Sequence, residues 1–66
     1  MLNREKIGKR LIALRGKKTQ EEVSKKLKIS ISALGMYERG ERIPRDEIKI
    51  RIAKFYGKSV QEIFFS

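Results

Sequence analysis

The sequence predicts an all-α protein, a compact domain of five short helices. Three observations carry that prediction. Apolar residues recur at three- and four-residue intervals, and no segment alternates as a half-buried strand would. Asn3, Thr19, Ser30 and Ser59 each stand just before such a segment, where a side-chain oxygen can accept from an otherwise unpaired backbone N–H. Gly40, Pro44 and Gly57 fall where a helix must stop or cannot begin.

The first helix is placed at about Arg4 to Arg15, because Ile7, Leu11 and Leu14 share one face and Asn3 caps its start. Thr19 with Glu22 three positions later is a capping box. Val23 and Leu27 give this second helix its buried stripe, up to a stop near Lys28. Ser30 opens the third helix, which runs through about Arg39 with Leu34 and Tyr37 inward and Gly40 as a left-handed terminator. Pro44 excludes a helix at Ile43, so Ile48, Ile52 and Phe55 mark the fourth, ended by Gly57. Ser59 and Glu62 form a second capping box, opening a last helix that carries Ile63 and Phe64. Links this short leave no room for a linker or repeat, and residues 1–66 are read as one domain.

Composition narrows the function. With no Cys and no His, the chain offers no disulfide, no usual zinc ligand set and no thiol or imidazole for catalysis, so an enzyme, a metal and a cofactor are not expected. The run Leu11 to Leu14 is far too short for a signal-peptide core or a membrane span, which predicts a soluble cytoplasmic protein. A formal charge of +9 implies an anionic partner, most often nucleic acid, and so a place on the nucleoid. The excess is uneven: residues 1–28 hold ten basic and three acidic side chains, residues 29–66 seven and five. Between Ile29 and Glu38 there is no basic residue at all, the longest such gap in the chain.

That gap coincides with the third helix, and only Lys28 to Ser30 separate it from the second. So tight a joint between two short helices is the mark of a helix-turn-helix. The stretch TQEEVSKKLKISISALGMYERGERIP, with IGKRLIALR before it and IRIAKFYGKSVQEIF after it, resembles the phage repressor and Cro-type helix-turn-helix regulators of the XRE family. The combination of TQEE, YERG and the following Pro in one register carries the resemblance, which covers nearly the whole chain.

The resemblance implies a lambda repressor-like fold and binding of a double-stranded DNA operator as a two-fold homodimer. It also implies that Gln20 contacts a phosphate at the start of the second helix, where free amides favour an anion. An ion pair between Arg15 and Glu38, tying the first helix to the third, follows from the same likeness. Three departures stand out. Lys28 occupies the turn where many relatives have Gly, and must then take a left-handed or distorted backbone at some energetic cost. The Arg15 to Thr19 link is short, which is expected to trim the end of the first helix. The outward positions of the third helix are apolar or small where relatives are often polar or basic.

Those outward positions define the expected readout. With Leu34 inward and about 100° per residue, Ser32, Met36 and, at the edge, Gly35 and Arg39 face out, with Ile31 exposed at the first turn. Ile31 and Met36 suit thymine methyl groups, Ser32 suits several base edges, and Gly35 would let the backbone approach the groove wall. Lys17 and Lys18 on one side, and Arg39, Arg42 and Arg45 on the other, are the expected phosphate contacts. Lys25, Lys26, Lys49, Lys54 and Lys58 are read as solubility charges. Val60, Phe64 and Phe65 are the candidate dimer interface, since two adjacent aromatics do not readily share a small core.

The expected function is a sequence-specific DNA-binding regulator of transcription that acts by occupying an operator, with no small-molecule effector domain. The alternative is a protein-interaction module of the same fold, antitoxin- or coactivator-like, because fold does not fix function. A membrane-surface peptide would share the charge but has no use for two capping boxes and a proline loop.

Overall fold

Side-chain caps set the helix starts. In the computed structural model, which describes residues 3–66, five helices follow one another: α1 (Arg4–Arg15), α2 (Gln20–Leu27), α3 (Ile31–Glu38), α4 (Asp46–Tyr56) and α5 (Val60–Phe64). Asn3 accepts from the Lys6 amide, and Ser30 from that of Ala33. Thr19 with Glu22 and Ser59 with Glu62 form complete reciprocal boxes. Each such cap is worth about 1 kcal/mol, much for helices of eight residues or fewer. Only α4 begins without a side-chain cap, with Arg45 in the capping position and Pro44 before it.

Residues of positive φ follow the first four helices. Gly16, Gly40 and Gly57 have φ of 58°, 74° and 66°, and Lys28 ends α2 at φ 59°. The first helix is not trimmed by its short link: it runs to Arg15 and turns at Gly16. Arg51 of α4 supports the turn after α2, its guanidinium donating to the carbonyls of Leu27 (2.9 Å) and Lys28 (3.5 Å). Those carbonyls would otherwise lack an intrahelical partner.

One core joins all five helices. Ile7 and Leu11 of α1, Val23 and Leu27 of α2, Leu34 and Tyr37 of α3, Ile48, Ile52 and Ala53 of α4, and Ile63 and Phe64 of α5 form a single buried cluster. Helices α1 and α3 cross so closely at Gly8 that a β-carbon there would collide with the backbone at Glu38. That contact sets where the end of α3 lies relative to Arg15.

Two expectations are corrected by the packing. Phe64, assigned to pairing, is 2% exposed inside the core, where a buried phenyl contributes roughly 1.5–3 kcal/mol. Its neighbour Phe65 remains half exposed. Lys49, read as a solubility charge, is buried: its stem packs in the α4–α5 seam, its ammonium lies 3.5 Å from Asp46 and 5.1 Å from the centre of the Phe65 ring. Among the described residues no helix is long and apolar enough to cross a membrane.

Candidate nucleic-acid interface

The candidate interface is built around α3. Its inward side, Leu34 and Tyr37, is buried, while Ile31 and Ser32 are exposed and Met36 is partly exposed. The helix lacks any basic residue within its span, so the surface it presents is apolar and hydroxylic. Gly35 does not belong to that surface. It is buried, and the Arg39 guanidinium lies over it, so that a β-carbon there would come within 2.8 Å of an Arg39 nitrogen. The helical wheel gave Gly35 the right side of the helix and missed that a residue one turn later covers it.

Beside α3, Arg15 and Glu38 form a two-pronged ion pair. Arg15 Nε donates to Glu38 Oε2 at 2.8 Å and a terminal nitrogen to Oε1 at 3.2 Å. The Glu38 side chain is 2% exposed, which strengthens the pair and raises the cost of breaking it. The hydrogen bond to Glu38 holds the Arg15 pKa above its usual value, with burial working against it. Arg15 also donates to the Lys18 carbonyl at 2.7 Å, fixing the turn that carries Lys17 and Lys18.

Glu38 has a third donor. The Gln20 side-chain amide donates to Oε1 at 2.8 Å, so the first residue of α2 is held by the same carboxylate. One carboxylate thus orders three elements: the end of α1, the start of α2 and the end of α3. Nothing in the spacing of Gln20 and Glu38 announces this bond, since they meet only once α2 and α3 are packed. The hydroxyl of Tyr56 is buried nearby without a hydrogen-bond partner among the described residues; its burial first, then the charge of Glu38, raises its pKa.

Just past the same C-terminal end of α3 lies a second pair. Arg39 Nε donates to Glu41 Oε2 at 2.8 Å and a terminal nitrogen to Oε1 at 3.3 Å, with both side chains more than half exposed. Arg39 holds the Glu41 carboxyl below its ordinary pKa, chiefly through that hydrogen bond. Lys17, Lys18, Arg42 and Arg45 are exposed; Arg42 and Arg45 line a cleft with Ala33 and Tyr37 of α3, and Arg45 approaches Glu47 only to 3.9 Å. On the far side of α4, Val60 and Phe65 line a shallow apolar hollow with Ile50, half exposed and absent from the sequence-based interface.

Against this geometry, the helix-turn-helix family model matches residues 9–63. The chain belongs to the helix-turn-helix family. The matched span of this helix-turn-helix protein contains α2, its left-handed turn and α3, together with Arg15 and Glu38. It is 37% identical over 46 residues to an uncharacterized HTH-type transcriptional regulator of Methanocaldococcus jannaschii, a match covering 70% of each chain. No solved structure matches.

Proposed function

We propose that this helix-turn-helix protein is a sequence-specific, double-stranded DNA-binding regulator that acts by occupying an operator. Family membership and the regulator among its relatives support DNA binding in general. The observation that carries the specific reading is the charge arrangement about α3: an uncharged outer surface of Ile31, Ser32 and Met36, with exposed cations in the segments before and after it. Base edges discriminate through hydrogen bonds and methyl contacts, while phosphates bind all sequences alike. A recognition helix without charge, between cationic segments, divides those tasks.

Ile31 and Met36 then read thymine methyl groups and Ser32 a base edge, while Lys17, Lys18, Gln20, Arg42 and Arg45 contact phosphates, and Arg39 does so once released from Glu41. One eight-residue helix reads few base pairs, so two copies are needed, on half-sites about 34 Å apart or a multiple of it. Val60 and Phe65, with Ile50, form the surface through which two copies meet. Phe64 anchors that surface from within.

The test is selection of bound duplexes from a random pool, followed by thymine-to-uracil scanning of the selected site. Met36→Ala is expected to lose roughly 1–3 kcal/mol at one base pair of each half-site and to become insensitive to uracil there. Equal response of wild type and Met36→Ala at every thymine would exclude Met36 as a reader. Sedimentation on the same duplex is expected to give two protomers, and Phe65→Asp one.

A further inference from the structure

Lys28 is the one described residue other than glycine with a positive φ, at φ 59° and ψ 43°. Glycine would hold this turn without the clash a β-carbon brings. Backbone strain of this kind persists where something else favours the side chain. The side chain lines an open cleft of about 500 Å³ between the α2–α3 turn, the loop after α3 and α4. Arg42, Arg45 and Arg51 line it too, and Ala33 and Tyr37 border it from α3. Among the described residues no carboxylate contributes to its walls.

Four cations in one concavity repel one another unless an anion joins them. Arg51 is spent on the carbonyls of Leu27 and Lys28. The Lys28 and Arg42 side chains make no hydrogen bond or ion pair among the described residues, which leaves both available for a ligand.

The position of the cleft says which anion. At about 100° per residue, Ala33 and Tyr37 lie on one flank of α3 and Glu38, with its bond to Gln20, on the other. The outer surface of Ser32 and Met36 lies between them. A helix in the major groove has a phosphate backbone on each side, about 12 Å apart. Lys17, Lys18 and Gln20 occupy one flank. The other is this cleft.

We propose that the cleft is a phosphate site, in which Lys28 and Arg42 hold a backbone phosphate of the strand bordering α3 on the α4 side. The proposal rests on the DNA-binding reading and adds Lys28 to it. A lysine at a left-handed turn is then a trade of backbone strain for a phosphate contact.

The experiment measures binding of the selected duplex and of an unrelated duplex as salt is varied, beside equilibrium unfolding, for wild type, Lys28→Gly and Lys28→Arg. Lys28→Gly is expected to unfold at the same or higher denaturant, because glycine relaxes the turn. It should bind both duplexes more weakly, by roughly three- to tenfold, and flatten the salt dependence by about one unit. Lys28→Arg should restore the wild-type slope. A Lys28→Gly slope equal to that of wild type overturns the site. Stabilisation of wild type but not of Lys28→Gly by millimolar inorganic phosphate, with DNA binding unaffected by the substitution, overturns the DNA assignment in favour of a free-anion site. Failure of the wild type to bind any duplex at low salt defeats the DNA-binding reading itself, and is seen before any variant is made.

Discussion

Two Arg–Glu pairs lie at the C-terminal end of α3 with the same closest approach of 2.8 Å, yet they belong to different physical regimes. In the Arg15–Glu38 pair the carboxylate is 2% exposed and accepts from Gln20 as well; in the Arg39–Glu41 pair both partners are over half exposed and no third group among the described residues joins. Water competes for the second pair and barely reaches the first. Distance therefore does not rank them, and burial does. The buried pair holds the frame that positions the proposed DNA face, while the exposed pair holds one of the cations proposed for that face in reserve.

The largest expected effect breaks the buried pair. Arg15→Ala leaves Glu38 charged in the interior with only the Gln20 amide as donor, and is expected to cost about 3–5 kcal/mol. Glu38→Ala leaves Arg15, whose side chain is 20% exposed and can be rehydrated, so it should cost less, about 2–3 kcal/mol. The double variant should lose less than the sum of the two. Urea unfolding measures all three. Additive losses would mean that the two side chains do not act as a pair.

How far this frame is readable from sequence depends on how local each interaction is. The caps at Asn3, Thr19, Ser30 and Ser59 join side chains to amides three positions on, so sequence spacing reveals them. The Arg15–Glu38 pair was reached through likeness to a family. The Gln20–Glu38 bond and the reach of Arg10 to the Ile63 carbonyl, 53 positions away, exist only after the helices pack. Phe64 and Phe65 show the limit most plainly. A five-residue helix has too few turns to fix its own phase, and the packing of α1 and α4 against it decides which aromatic goes inside.

A smaller effect sharpens the comparison from within the buried region. The Tyr56 hydroxyl is buried beside the Arg15–Glu38 pair with no partner among the described residues, and a polar group left so costs stability. Tyr56→Phe should therefore stabilise by about 1 kcal/mol. The sign with pH follows from the raised pKa of this phenol. A group whose folded pKa lies above its unfolded value contributes fully below the unfolded one, 10.0 here, and loses that contribution as pH rises through the folded value. Wild type should lose stability in that alkaline range, and Tyr56→Phe should lose less. Identical pH profiles would show that Tyr56 does not titrate against this pair.

The smallest effect on folding comes from the exposed pair, where the change should appear in DNA binding instead. Glu41→Gln removes the charge that holds Arg39 over Gly35, and the unfolding midpoint is expected to stay at the wild-type value. The freed guanidinium then gains a phosphate. Both the selected and unrelated duplexes should bind a few-fold more tightly, with the salt dependence steeper by about one unit. Because Arg39 depresses the Glu41 pKa, the carboxylate stays ionised to below its ordinary value of 4.5, and the pair weakens only as pH falls through that lower folded value. Between pH 6 and 8 the difference between wild type and Glu41→Gln should accordingly be constant. Titrations of both duplexes at several salt concentrations and two pH values measure this. If Glu41→Gln altered the unfolding midpoint and left DNA affinity alone, the exposed pair would be part of the frame, and the division drawn here between the two pairs would fail.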